Sequence, residues 1–274
     1  MATEFDRGGE SDGSRASSAR QMLFGGGFER KRISRGVLGT GCFLALWWLA
    51  GRTQPSYLLP TPPEVGLALW TELTSGELFV HLGQSLLHYV PGVVVGVTVG
   101  SAVGIAVGWS DALDDACTPI IRILRPIPPL AWIVFAIIWF GLGHSGAAFI
   151  VFIGAFWITF YNAYSGVESA SRELMEVAET LGVDTDWRLI RRVVLPDATP
   201  ELLTGLRTSV GQCWMMVIAA ELFGAPGVGY EIITSSNNLA TERSVAYMLT
   251  ISAVFLVSDW GVRRLEARLL AWRQ

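Results

Sequence analysis

The chain has 274 residues and a mass of 29.8 kDa; 51% of its residues are hydrophobic, only 16% are charged, and its mean hydropathy is +0.44. A soluble domain carries about 25% charged residues, so this balance is that of a membrane protein and excludes disorder over most of the length. The formal charge of −4 without a clustered basic surface argues against a nucleic-acid partner. Cys42, Cys117 and Cys213 are too widely spaced to imply a disulfide framework or a zinc site and read as packing residues.

Residues 1–35 are polar and end in Arg30-Lys31-Arg32 and Arg35, which predicts a disordered cytoplasmic arm. Gly36 to Gly51 is an uncharged run of 16 residues. It is short for a span, but Arg35 and Arg52 can snorkel to the two interfaces. A signal peptide is the rival reading; the charged arm before it and the lack of a small-x-small cleavage site weigh against that. Leu59-Pro60-Thr61-Pro62-Pro63 is extended punctuation, after which Glu64 to Ser75 reads as an amphipathic helix along the outer interface.

His81 to Ser110 holds 30 residues without a formal charge, enough for one crossing. Its glycines at 92, 96, 100, 104 and 108 recur every four residues and predict a small-residue stripe for close helix packing. Pro126 to Val167 has 42 residues without a formal charge, interrupted by Gly141-Leu-Gly143-His-Ser-Gly146, which predicts two crossings joined by a tight turn. A fifth apolar segment runs from about Leu202 to Phe223 and a sixth from about Ser244 to Val262, with Asp259 placed to pair with Arg263. Six crossings put both termini on one side, with the membrane domain over 36–262 and a cytoplasmic tail over 263–274. With the amino terminus inside, every basic residue except Arg52 and Arg243 is cytoplasmic, as the positive-inside rule requires.

A transporter needs an energy source. Lys31, the sole lysine, follows Arg30, so no Walker-type phosphate loop exists in this chain. The acids Asp111, Glu168, Glu221 and Asp259 sit at segment ends, which gives no support to a proton or sodium relay. His81 and His88 share a helical face, where packing or an interface contact outweighs a relay or a metal site. No enzyme-like constellation stands out.

The cytoplasmic loop 168–201 is the most informative stretch. It reads as a short helix capped by Ser169 or Ser171 and stopped at Gly182, then a second helix capped by Asp184 or Asp186 and ended by Pro196. Ala178 and Gly182, spaced i and i+4, predict a flat face that another protein can approach. Leu181, Trp187, Ile190 and Val194 are apolar candidates for the same contact. The alternative is a loop helix packed on its own domain.

Glu176-Val-Ala178-x-x-x-Gly182 ending in Leu195-Pro196 resembles the EAA motif of binding-protein-dependent ABC importer permeases. Leu59-Pro-Thr-Pro-Pro63, Arg125-Pro-Ile-Pro-Pro129-Leu-Ala-Trp132, Ile138-Trp-Phe-Gly-Leu-Gly143, Ala219-Ala-Glu221 and Arg264-Leu-Glu-Ala-Arg268 resemble its nitrate/taurine/sulfonate branch. Val177 departs from the motif and is tolerable if that side faces the membrane domain. The Gly182 to Pro196 interval is one residue longer than the usual pattern.

The resemblance implies an all-α membrane protein of six transmembrane helices, type I ABC importer permease-like, multi-pass in the inner membrane with both termini cytoplasmic. It implies no catalytic residue and no cofactor or metal in this chain, ATP and Mg being bound by a cytoplasmic ABC ATPase dimer. Glu176, Ala178, Leu181, Gly182, Trp187, Leu195 and Pro196 are the implied ATPase-coupling residues. A second permease subunit, most simply another copy of this chain, and an extracytoplasmic substrate-binding protein complete the expected assembly. The cargo class it implies is a small oxyanion or organic solute: nitrate, bicarbonate, taurine or another sulfonate, or a vitamin precursor. Polar or aromatic residues inside apolar segments, namely His88, Asn162, Gln212, Trp214 and Glu221, are candidates for the translocation path, each with a structural reading beside it. Gln212 and the Trp214 indole can donate to an anion that Glu221 would repel. A stand-alone secondary carrier or channel is the main alternative, and a membrane enzyme or scaffold a third; neither accounts for the Glu176 to Pro196 loop.

Overall fold

A computed structural model describes residues 35–183 and 185–269, the Arg172 side chain excepted, so the expected arm over 1–35 lies almost wholly outside the described residues. Two units cluster separately, 1–63 and 64–274.

In the first, helix α1 covers 35–53 and leaves Val37, Phe43 and Leu46 exposed. The chain then turns back on it. The Trp47 indole donates to the Pro60 carbonyl at 3.0 Å. Gly51 leaves room for Thr61, whose Cγ2 would lie 3.0 Å from any Cβ placed there. Cys42 is exposed on this helix, whereas Cys213 packs in the core of the second unit, so packing describes only some of the cysteines.

The second unit is helical throughout its described residues: α2 Pro62–Ser75, α3 Glu77–Trp109, α4 Asp111–Leu124, a 3-10 turn Pro129–Trp132, α5 Ile133–Phe140, α6 His144–Glu168, α7 Arg172–Thr180, α8 Asp186–Leu189, a π-helical stretch Ile190–Val194, α9 Leu195–Asp197, α10 Thr199–Leu222, α11 Val228–Asn237 and α12 Thr241–Leu269. Helix α2 begins in the first unit's last two residues.

Helices α3 and α6 form the centre, and the glycine ladder explains how. Cβ atoms at Gly92 and Gly96 would each lie 2.6 Å from side-chain carbons of Val151 and Ala155, and one at Gly104 would lie 2.8 Å from the Ala163 Cβ. At Gly100 a Cβ would collide with the Thr159 hydroxyl. The four-residue repeat on α3 meets a four-residue repeat on α6, so the two backbones approach as only small residues allow. Thr159 donates across the seam to the Gly96 carbonyl at 3.3 Å. Helix α10 packs against both α6 and α3, with Tyr89, Val93, Val151, Ala155, Cys213, Trp214 and Val217 as the shared core.

Among the described residues, α3, α6 and α12 are each long and apolar enough to cross a bilayer. Of the two crossings joined by a tight turn expected within 126–167, α6 is crossing-length by itself and the stretch before Gly141 is not. Helix α5 has only eight residues, about 12 Å. The crossing-length unit is instead α4 together with Pro129–Phe140, bent by 85°. Pro126, Pro128 and Pro129 supply the cause, because each lacks an N–H and disfavours helix in the residue before it. Helix α10 has 24 residues but carries Glu201, Arg207 and Glu221 and falls outside that apolar class.

Candidate functional site

The loop between α6 and α10 folds around a small core of Val167, Ala170 and Val194, backed by Ile105, Trp109 and Met175. Ser171 caps α7, its hydroxyl accepting from Leu174 N–H at 3.4 Å, while its own N–H donates to Asp197 Oδ2 at 3.3 Å. At the far end Val183 N–H donates to the Ala178 carbonyl and Gly182 N–H to that of Glu179, each at 3.0 Å. That pair of bonds is a Schellman motif, and Gly182 supplies its left-handed residue with φ of +86°.

Several expectations for this loop change. Ala178 is buried within its own chain and does not share an open face with Gly182; the open face carries Leu174, Val177, Leu181 and Glu176. Val177 is 55% exposed and so is not packed on the rest of its own chain as expected. Leu181 and Trp187 are exposed at 79% and 65%, but Val194 is fully buried in the loop core and Ile190 is half-buried. Asp184 lies outside the described residues, and Thr185 occupies the cap position of α8. Pro196 does not end the second helix. It lies in α9, which continues directly from the π-helical stretch, and Leu195 and Pro196 are half-buried. Ile190–Val194 within this interval is π-helical, a turn that places one more residue between bonded groups than an α-turn does.

A second constellation lies at the opposite ends of the long helices. His88 Nε2 is 2.7 Å from Glu221 Oε1, and the other carboxylate oxygen accepts the Gly229 N–H at 2.6 Å. That N–H belongs to the first turn of α11, whose positive dipole end favours the anion. Side chains at Gly227 or Gly229 would meet the carboxylate, so glycine is what lets the chain wrap it. Ser85 accepts from Val228 N–H at 3.0 Å, and His144 Nδ1 lies 3.1 Å from His88 Nδ1 with the rings stacked. The His88 ring thus bridges the two, with Nε2 toward Glu221 and Nδ1 toward His144. His144 itself is exposed, so a hydrogen-bonded chain runs from the surface to a fully buried carboxylate. His144, Ser85 and Gly229 were not anticipated. The available signal for His144 was a lone histidine between glycines at a helix start.

The remaining path candidates separate. Gln212 and Trp214 line a groove of about 1030 Å³ between α10 and α12, together with Thr208, Met215, Ser252 and Phe255. Gln212 is exposed; Trp214 is buried, stacks on Tyr89 at 4.1 Å and has an indole N–H without a partner among the described residues. Arg207, the cation of this groove, is tied to Asp259 at 3.3 Å and Glu266 at 3.6 Å. Asn162 lies elsewhere, donating to Ile158 O at 2.7 Å and packing on Gly205. His88 and Glu221 bond to each other and are wholly buried, so neither faces the groove.

Residues 92–271 match the family described as binding-protein-dependent transport system inner membrane component. A provisionally named ABC transporter permease protein of Methanocaldococcus jannaschii is 37% identical over 74% of this chain and 76% of its own. The taurine transport system permease protein of Escherichia coli is 32% identical over 88% and 89%, and the bicarbonate transport system permease protein of Synechococcus elongatus 31% identical over 87% and 86%. Among solved structures, an inward-facing MetNI methionine ABC transporter shares the fold, with a TM-score of 0.59 at 19% identity over 74% of this chain and 99% of that one. This multi-pass helical protein belongs to the inner-membrane components of binding-protein-dependent transport systems, in their nitrate/taurine/sulfonate-type ABC permease branch.

Proposed function

We propose that this chain is the translocation subunit of an ATP-driven importer for a small anion or organic solute, coupled to a separate cytoplasmic ATPase through the Glu176 to Pro196 loop. What carries the reading is the open apolar face of that loop. Leu174, Val177, Leu181 and Trp187 are all at least half exposed on a charged, well-capped segment. Such a face on a polar loop is suited to a protein partner. ATP and magnesium belong to that partner, and closure of two ATPase subunits would draw two such loops together.

In this reading α1, α3, the bent α4–α5 unit, α6, α10 and α12 make six crossings, with both termini and the loop cytoplasmic. Two copies of the chain form the path, and an external binding protein delivers cargo at the outer ends. The relatives named for taurine and bicarbonate support a small oxyanion-bearing cargo. Gln212, Thr208 and the Trp214 indole supply neutral hydrogen-bonding groups on the groove, whose cation is already paired. The buried His88–Glu221 pair is the feature that favours a stand-alone carrier, since intramembrane ionisable groups mark ion pathways.

Purification of tagged chain from native membranes, with mass spectrometry of its partners, tests the proposal. Wild type is expected to retain a Walker-type ATPase, and Leu181→Asp or Trp187→Asp to lose it while keeping the same thermal midpoint. An intact wild-type complex without an ATPase, active in uptake, would favour the carrier.

A further inference from the structure

We propose that a pocket between α4 and α6 binds the phosphate of an anionic lipid headgroup. The pocket has a volume of about 190 Å³ and is lined by Thr118, Arg122, Arg125, Tyr161 and Tyr164 among others. Its two guanidinium groups have no carboxylate within salt-bridge distance among the described residues, unlike Arg207, Arg243 and Arg263. Arg125 lies over the Tyr161 ring at 4.5 Å, which fixes its position without neutralising it. The Tyr161 hydroxyl is buried and has no hydrogen-bond partner among the described residues. A buried hydroxyl without a partner is costly, and an acceptor oxygen in the pocket satisfies it. Of the nearby acids, Asp114 is engaged by the Thr118 hydroxyl at 2.7 Å and by Tyr164, and Glu168 lies near the same tyrosine; neither pairs with Arg122 or Arg125 among the described residues.

The surroundings select a lipid over a free ion. Helix α4 is amphipathic, with charges at Asp111, Asp114, Asp115 and Arg122, and Leu113, Ile120 and Ile123 exposed at 44%, 57% and 72%. Those three share one face by helical spacing. It meets Pro129–Phe140 at 85°, so the pocket side of α4 is set by the bend as well as by its packing on α6. Tyr161 is seven residues from the end of α6, about 10 Å along its axis, so Arg122 and Arg125 reach the headgroup level by snorkelling. The pocket residues Thr118, Ile121, Arg122 and Arg125 lie on the face of α4 opposite Leu113, Ile120 and Ile123, so the arginines turn toward α6 while the apolar face is left to the lipid tails. Basic pockets between helices at the cytoplasmic leaflet have this character. The inference rests on the proposed topology for the side of the membrane, which ATPase retention tests separately.

The test is native mass spectrometry of the delipidated full-length chain, titrated with dioleoylphosphatidylglycerol, dioleoylphosphatidylcholine or inorganic phosphate. Phosphatidylglycerol is expected to bind in preference to phosphatidylcholine. Arg122→Gln with Arg125→Gln is expected to weaken it about 25-fold, each basic residue supplying roughly fivefold. Tyr161→Phe, which leaves charge unchanged, is expected to weaken it several-fold. The charge-matched pair Arg264→Gln with Arg268→Gln is expected to bind like wild type. Equal loss in that pair, or no preference for phosphatidylglycerol, overturns the site, and displacement of the lipid by millimolar inorganic phosphate overturns the lipid assignment. If the Arg122/Arg125 variant does not fold, an undiminished Tyr161→Phe overturns the proposal by itself.

Discussion

His88 Nε2 and Glu221 Oε1 lie 2.7 Å apart with both side chains at 0% exposure, although 133 residues separate them in the chain. The pair joins α3 to the end of α10 and, through Gly229, to the start of α11. Removing one member of a buried pair costs about 3–5 kcal/mol, because the other is left uncompensated. Glu221→Leu is therefore expected to lower the thermal midpoint of the purified protein well beyond His88→Leu combined with Glu221→Leu. The double variant keeps mainly the penalty of the unanswered Gly229 N–H, about 1–3 kcal/mol. Additive losses in a double-mutant cycle would show that the residues do not act as a pair.

The α3–α6 seam has no room at Gly100, where a Cβ would also sit 2.5 Å from the Phe156 carbonyl oxygen. Gly100→Ala is expected to destabilise by about 1–3 kcal/mol, the usual cost of overpacking. Gly66 on α2 has nothing within 4 Å, so Gly66→Ala is expected to be neutral or slightly stabilising. Fluorescence-detected size-exclusion chromatography after a heat ramp compares them. Matching midpoints would mean that the helices separate without cost.

Gly182 ends α7 with φ of +86° and open space around its Cα. Its requirement is therefore conformational. Gly182→Ala is expected to cost about 1–2 kcal/mol, and Gly182→Asn less, since asparagine tolerates the left-handed region. Hydrogen exchange across 172–183 should accelerate more in the alanine variant. Equal rates in both would remove the Schellman motif as what holds this helix end.

Arg243 gathers three carboxylates from α2, α3 and α11: Glu72 at 2.8 Å, Glu77 at 3.0 Å and Glu231 at 3.6 Å. Glu72 is buried and also accepts the Tyr247 hydroxyl, whereas Glu77 is 58% exposed. Arg243→Gln is expected to destabilise by about 2 kcal/mol, below the fully buried limit because the arginine is one-third exposed. Glu77→Gln is expected to cost at most about 1 kcal/mol, as surface pairs do. Thermal midpoints at low and high salt would separate the two, and a larger loss in Glu77→Gln would reverse the assignment.

Local chemistry was legible in the sequence wherever one segment decided its own conformation. The four-residue glycine repeat determined which face of α3 meets a neighbour, Gly182 determined where α7 stops, and Asp259 found Arg263 within one turn at 2.6 Å. The absence of charge over long runs determined that the chain crosses a membrane, because lipid cannot satisfy charged side chains. The Glu176 to Pro196 loop carried the family by residue type and order. Tertiary structure alone decided the rest. Ala178 turns inward and Val177 outward because the core of Val167, Ala170 and Val194 lies on only one side of α7. The uncharged stretch before Gly141 is not one straight helix: its prolines redirect it through an 85° bend, and the turn then packs against α6 and α10. Glu221 looked like an acid at a segment end. Its burial against His88 and Gly229, with the unforeseen His144 stacked on His88, depends on four helices meeting, and the free energy of that arrangement resides in contacts between residues far apart in the chain.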